Sequence, residues 1–308
     1  MGFIIRANRI SRYNMKMISE NLRIPMVMCI VFLFIVQNLS SVLLFSKAVN
    51  IPVMPYAFPF LVNDYICQFV IIAGAVVLFC NAPFEDEGYQ YMLPRTGRVS
   101  WAVGQVIYIF KVSLLYILVL IAATVIPFIG HMQFGTGWGK IWGTLGKTDA
   151  GSQFGLNFSV SKYLLSHYSP MKALAVSLLL EWACIVWIGL LIYFGNKITN
   201  KSMGIIAGAF VTLLDVCVAN DWVDWAYGFS PVSLAQVETY SGYALKYGID
   251  LNYGVKFFVV GIILLIALCI LSNDKDRICR DLSKIKKLRR ADIGTGIGSN
   301  STECKKGV

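Results

Sequence analysis

Charge is what this sequence has least of. Only 14% of its 308 residues are Asp, Glu, Lys or Arg, against about 25% in an ordinary soluble domain. Hydrophobic residues make up 57%, far too many to hide inside one soluble core. Histidine is nearly missing, His131 and His167 being the two copies. No GxSxG or HExxH occurs, so a nucleophile elbow and a zincin site both lack their residues. The eight cysteines (Cys29, Cys67, Cys80, Cys184, Cys217, Cys269, Cys279 and Cys304) show no CxxC spacing, which argues against a metal knuckle or a disulfide framework. An internal repeat is not evident. Nor does a cleavable leader fit, because the first apolar run begins near Ile24 and lasts past Phe45.

What the chain does have is apolar runs of 18 residues or more, the length a helix needs to cross a hydrocarbon core of about 30 Å. The expectation is an all-α integral membrane protein with six spans, near 24–46, 61–80, 101–130, 172–195, 203–220 and 255–272. Residues 1–23 precede them as an interfacial amphipathic helix. On a helical wheel Phe3, Ala7, Ile10, Met17 and Ile18 share one arc, with Arg9, Arg12 and Lys16 opposite. The spans form a transmembrane domain over 24–272, followed by a basic tail, 273–308, whose distal Gly/Ser-rich part reads as disordered.

Nineteen of the 27 lysines and arginines fall on one side if the N-terminus is inside. Both termini are therefore expected in the cytoplasm of a multi-pass cell-membrane protein. The formal charge of +10 sits mostly at the two ends, which suits anionic membrane lipid rather than nucleic acid. Two long outward segments, 131–171 and 221–254, are dense in Trp, Tyr and Phe. They read as short interfacial helices anchored at headgroup level.

"GWGKIWGTLGKT" (137–148) resembles a phosphate loop at first glance. The motif needs glycine at 141, where the chain has Ile141, and no strand precedes it. No ATPase or hydrolase motif is found, and no cofactor or metal is expected on this chain. Three ionisable residues fall inside the spans: Lys111, Glu181 and Asp215. Such groups are costly in hydrocarbon, by at least about 2.5 kcal/mol on insertion scales, and usually find a partner. A Lys111–Glu181 pair is expected, as a packing bridge or as a substrate-facing element. Asp64, near the outer end of its span, is expected to be hydrated.

One stretch concentrates charge between two apolar runs: "FEDEGYQYMLPRTGR", residues 84–98. Glu85, Asp86 and Glu87 favour a helix start, the helix runs on through Gly88 to Leu93, Pro94 ends it, and Arg95 and Arg98 stand at the re-entry. The expectation is a short polar helix on the cytoplasmic face between the second and third spans.

The series Glu85, Glu87, Gly88, Met92, Leu93, Pro94, Arg95, Arg98 and Gly104 resembles the segment between spans 2 and 3 of type 2 ABC exporter permeases. The rest of the layout over about residues 3–272 is similar to that family, including "SPVSL" (230–234) after the fifth span. The resemblance implies ABC ATPase subunits that dock on residues 84–98, with ATP and magnesium bound by those subunits. It implies a second permease chain, the same or related, and outward movement of an amphipathic substrate such as an antimicrobial peptide, a lipid-like compound or a drug. Tyr89 stands where the family commonly has a small residue, and segment 131–171 is longer than the usual turn. One other reading stays open, a membrane sensor or scaffold working through the basic tail; an ion-coupled carrier using Glu181 and Asp215 lacks the pair of broken, repeated helices such carriers show.

Overall fold

The computed structural model describes residues 2–18, 22–84, 89–199, 203–241 and 248–273. They are overwhelmingly helical. In chain order the helices are α1 (Gly2–Met17), α2 (Arg23–Val49), α3 (Phe58–Asn63), α4 (Tyr65–Phe79), α5 (Tyr89–Thr96), α6 (Arg98–Val125), α7 (Gly139–Lys147), α8 (Ala150–Gln153), α9 (Lys162–His167), α10 (Pro170–Ile198), α11 (Met203–Ala219), α12 (Pro231–Ala235) and α13 (Leu251–Asn273). Among the described residues there is no strand, only a β-bridge between Val53 and Met132.

Four of these helices are long and apolar enough to cross a membrane: α2, α6 with its short 3-10 extension to Phe128, α10 and α13. The helices α4 and α11 are apolar but shorter. Many large apolar side chains face outward along the bundle, among them Ile30 and Leu33 on α2, Leu114 and Leu118 on α6, Phe210 on α11 and Val260 and Ile263 on α13. Long apolar helices with apolar outer faces suggest a membrane protein.

The continuous span expected over 61–80 is instead two helices. Asp64 breaks them apart, with extended backbone at φ −87° and ψ 123°, and its carboxylate accepts the Cys67 N–H that opens α4. The competition is local: a carboxylate at that spacing caps a new helix start better than a helix interior accommodates it. Asp64 is largely buried by its neighbours, with the remainder of its surface on the wall of an open cavity.

α10 is the central helix, packed against α4, α6 and α11. Of its apolar window 56% is buried, against 22% in α13, which lies at the periphery. In hydrocarbon, helices associate through close packing more than through exclusion of water. The α10–α11 contact shows it: a Cβ added at Gly195 would lie 2.8 Å from the Gly204 Cα. Asn196 secures the same end, donating to the carbonyls of Cys80 (3.0 Å) and Ala82 (2.7 Å) and accepting from Gly204 N–H (2.9 Å).

The N-terminal helix is amphipathic as expected but does not stand apart from the bundle. α1 packs on the first half of α6 through Ala7, Ile10, Ser11 and Asn14, leaving Phe3 and the basic Arg6, Arg9, Arg12 and Lys16 exposed. Gly104 permits the approach, since a Cβ there would meet Ile10 Cβ at 2.8 Å. The segment after α6 folds into α7, α8 and α9 over the far end of the bundle. Two of its tryptophans pack inward: Trp142 is fully buried and donates to the Met54 carbonyl (2.8 Å), and Trp138 donates to that of Tyr168 (2.9 Å), while Phe134 faces outward. Trp222, Trp225 and Phe229 also face outward.

Candidate functional site

The charged connector follows α4. Glu85, Asp86, Glu87 and Gly88 lie outside the described residues, but the helix after them is present as α5. Pro94 sits inside α5 and does not end it. A proline late in a short helix removes a single hydrogen bond, and the turn around it is held by Thr96 Oγ1 donating to the Met92 carbonyl at 2.8 Å. The turn comes at Gly97, where φ is +83°, a conformation that glycine reaches without strain. Gly97 N–H closes α5 onto the Leu93 carbonyl, and its own carbonyl accepts the Trp101 N–H of α6, both at 3.0 Å. Tyr91, Pro94 and Arg95 are exposed, Leu93 and Arg98 half-buried. The main packing partner of α5 is α6.

The intramembrane charges are arranged differently from expectation. Lys111 does not meet Glu181: its ammonium donates to Asn8 Oδ1 on α1 at 2.9 Å. The neighbour in space here is the N-terminal helix, which the spacing of apolar runs does not place. Glu181, fully buried on α10, accepts from Gln68 Nε2 of α4 at 2.8 Å. Among the described residues Glu181 Oε1 and Gln68 Oε1 have no partner, and neither has Ser177 Oγ one turn earlier on α10. Asp215, 1% exposed on α11, accepts from Ser233 Oγ (2.7 Å) and from Gln236 Nε2 (3.3 Å to Oδ2). Both carboxylates are thus met by neutral donors.

Asp215 is reached from outside. A cavity of about 800 Å³ opens between the α3–α4 break, the C-terminal end of α11 and the segment around α12. Its wall carries three carboxylates, Asp64, Asp215 and Glu238, beside Tyr65, Phe158 and Tyr227. No lysine, arginine or histidine lines it among the described residues. Burial pushes the Glu238 carboxyl above the ordinary range, and a hydrogen bond with Ser161 opposes that shift. Its backbone N–H donates to Asn63 Oδ1 at 2.8 Å, fixing the rim to the end of α3. Among the described residues no three of His, Cys, Asp and Glu are grouped to hold a metal ion.

Gln68, Ser233 and Gln236 were not singled out by sequence reasoning. Each is a neutral polar residue in an apolar setting, "YICQFVII" and "SPVSLAQ", and a buried amide or hydroxyl gives little signal until its partner is known. Compared with known proteins, the chain matches no family model, no curated protein and no solved structure.

Proposed function

We propose that the chain is the membrane permease subunit of an ATP-driven exporter. The observation that carries this reading is α5, a short helix with exposed Tyr91, Pro94 and Arg95 between two apolar helices, turned back into α6 at Gly97. A free polar face hung from one long helix suits a handle gripped by a soluble partner. Force on it is delivered directly to α6 through the paired hydrogen bonds at Gly97. In this reading α2, the α3–α4 pair, α6, α10, α11 and α13 are six spans. α4 alone would rise about 22 Å and α11 about 26 Å at 1.5 Å per residue; α3 and α12 make up the remaining depth.

ATP and magnesium belong to ATPase subunits docked on residues 84–98, and this chain supplies no hydrolytic chemistry. A second permease chain completes the path, along which an amphipathic substrate moves outward. The chain sits in the cell membrane with both ends in the cytoplasm.

The test is co-purification with ATPase subunits encoded beside the gene, using wild type and the pair Glu87→Lys/Arg95→Glu. Retention by wild type and loss from the folded double variant is the expected result. Equal retention, or none by either, removes the handle and with it this reading.

A further inference from the structure

The cavity at the far end of the bundle has no assigned occupant, and two independent features describe what fits it. The first is its wall. Three carboxylates face a space of about 800 Å³ without a cationic side chain among the described lining residues. That volume falls within the range of pockets for drug-sized molecules, about 300–1,000 Å³. It far exceeds one dehydrated inorganic ion, and Tyr65, Phe158 and Tyr227 add aromatic surface of the kind that attracts ammonium groups.

The second feature lies one turn along α4 from Asp64, which lines the wall. Glu181 and Gln68 are fully buried, and each keeps one oxygen without a partner among the described residues. The Gln68 amide has already spent a donor on Glu181 Oε2, so what remains between α4 and α10 is a surplus of acceptors. Leaving such groups unpaired away from water is costly, and more so when they are charged. Two such oxygens side by side suit a donor group placed between them. Water has two donors and no charge; an ammonium has three donors and one charge.

We infer that the cavity binds an organic cation, a primary ammonium on an apolar body, with Asp215 as its counterion and Asp64 and Glu238 at the entrance. As a statement about cargo this rests on the export reading; as a statement about binding it does not.

The experiment is a fluorescence-anisotropy titration of the full chain in detergent with dansylcadaverine, a primary amine on an aromatic body, and with its N-acetyl derivative. The amine should bind at least about tenfold more tightly than the neutral derivative, a difference of about 1.4 kcal/mol. Asp215→Asn should weaken the amine about tenfold and leave the derivative unchanged. Glu238→Gln, at the half-buried rim, should weaken it about threefold and serves as the readout if Asp215→Asn does not fold. Equal binding of the two probes, or indifference to both substitutions, overturns the inference. So does displacement of the amine by sodium but not by choline, which would make this an inorganic cation site. Amine binding without ATPase retention preserves the site and removes the export reading. ATPase retention without amine binding does the reverse.

Discussion

Lys111 Nζ stands 2.9 Å from Asn8 Oδ1, so the cation within α6 is tied to the N-terminal helix and not to a carboxylate across the bundle. A double-mutant cycle separates the two arrangements. Lys111→Met with Asn8→Ala should show a coupling of about 1 kcal/mol, and Lys111→Met with Glu181→Gln less than about 0.3 kcal/mol. Thermal melts in detergent read both.

The Gln68–Glu181 contact gives a prediction of opposite sign for single and double changes. Gln68→Leu strips Glu181 of its hydrogen-bond donor and should cost about 2–4 kcal/mol, because an uncompensated polar group stays buried. Replacing both residues by leucine removes the polar pair altogether and should bring stability back to within about 1 kcal/mol of wild type. A double variant as unstable as the single one would show that the pair holds α4 and α10 in register by more than its hydrogen bond.

Gly104 and Gly97 are glycines for different reasons. Gly104→Val drives a side chain into Ile10 and should cost about 1–3 kcal/mol as overpacking. Its signature is detachment of α1, seen as faster proteolysis of residues 2–18. Gly97→Ala meets nothing within 4 Å but must hold φ at +83° with ψ at 150°, so it should cost about 1–3 kcal/mol from backbone strain alone and leave α1 protected.

Glu238 predicts a dependence on pH. Burial raises its folded-state pKa above the unfolded value, so the protonated form is the one the fold prefers. The penalty for ionising it is absent below the ordinary carboxylate range and grows as pH rises toward and through the raised folded value, lowering stability across that window. Glu238→Gln should flatten this part of the stability curve. An unchanged slope in the variant assigns the dependence to another group.

How much of this was legible beforehand differs from element to element. The helices α2, α6, α10 and α13 follow from run length alone, since predominantly apolar stretches of 18 residues or more have few other uses. The amphipathic character of α1 was visible on a wheel, but not its seat on α6, because Ser11 and Asn14 in the contact are polar. Asp64 looked like the hydrated end of a span; that it caps α4 depends on the backbone turning at that residue. The connector helix was placed correctly over Tyr89–Leu93, while its end was assigned to Pro94 instead of Gly97. Proline disrupts most strongly the turn that precedes it, and here that turn is short. The acidic cavity could not be read at all: Asp64, Asp215 and Glu238 are far apart in the chain and come together only where α3, α11 and the α12 segment converge.

Asn196 joins the carbonyls that follow α4 to the first turn of α11 from its own place on α10. One amide thereby splices three rods at a single node. A displacement of the chain at Ala82 is therefore passed to α10 and α11 together, through one side chain rather than through a relay of contacts.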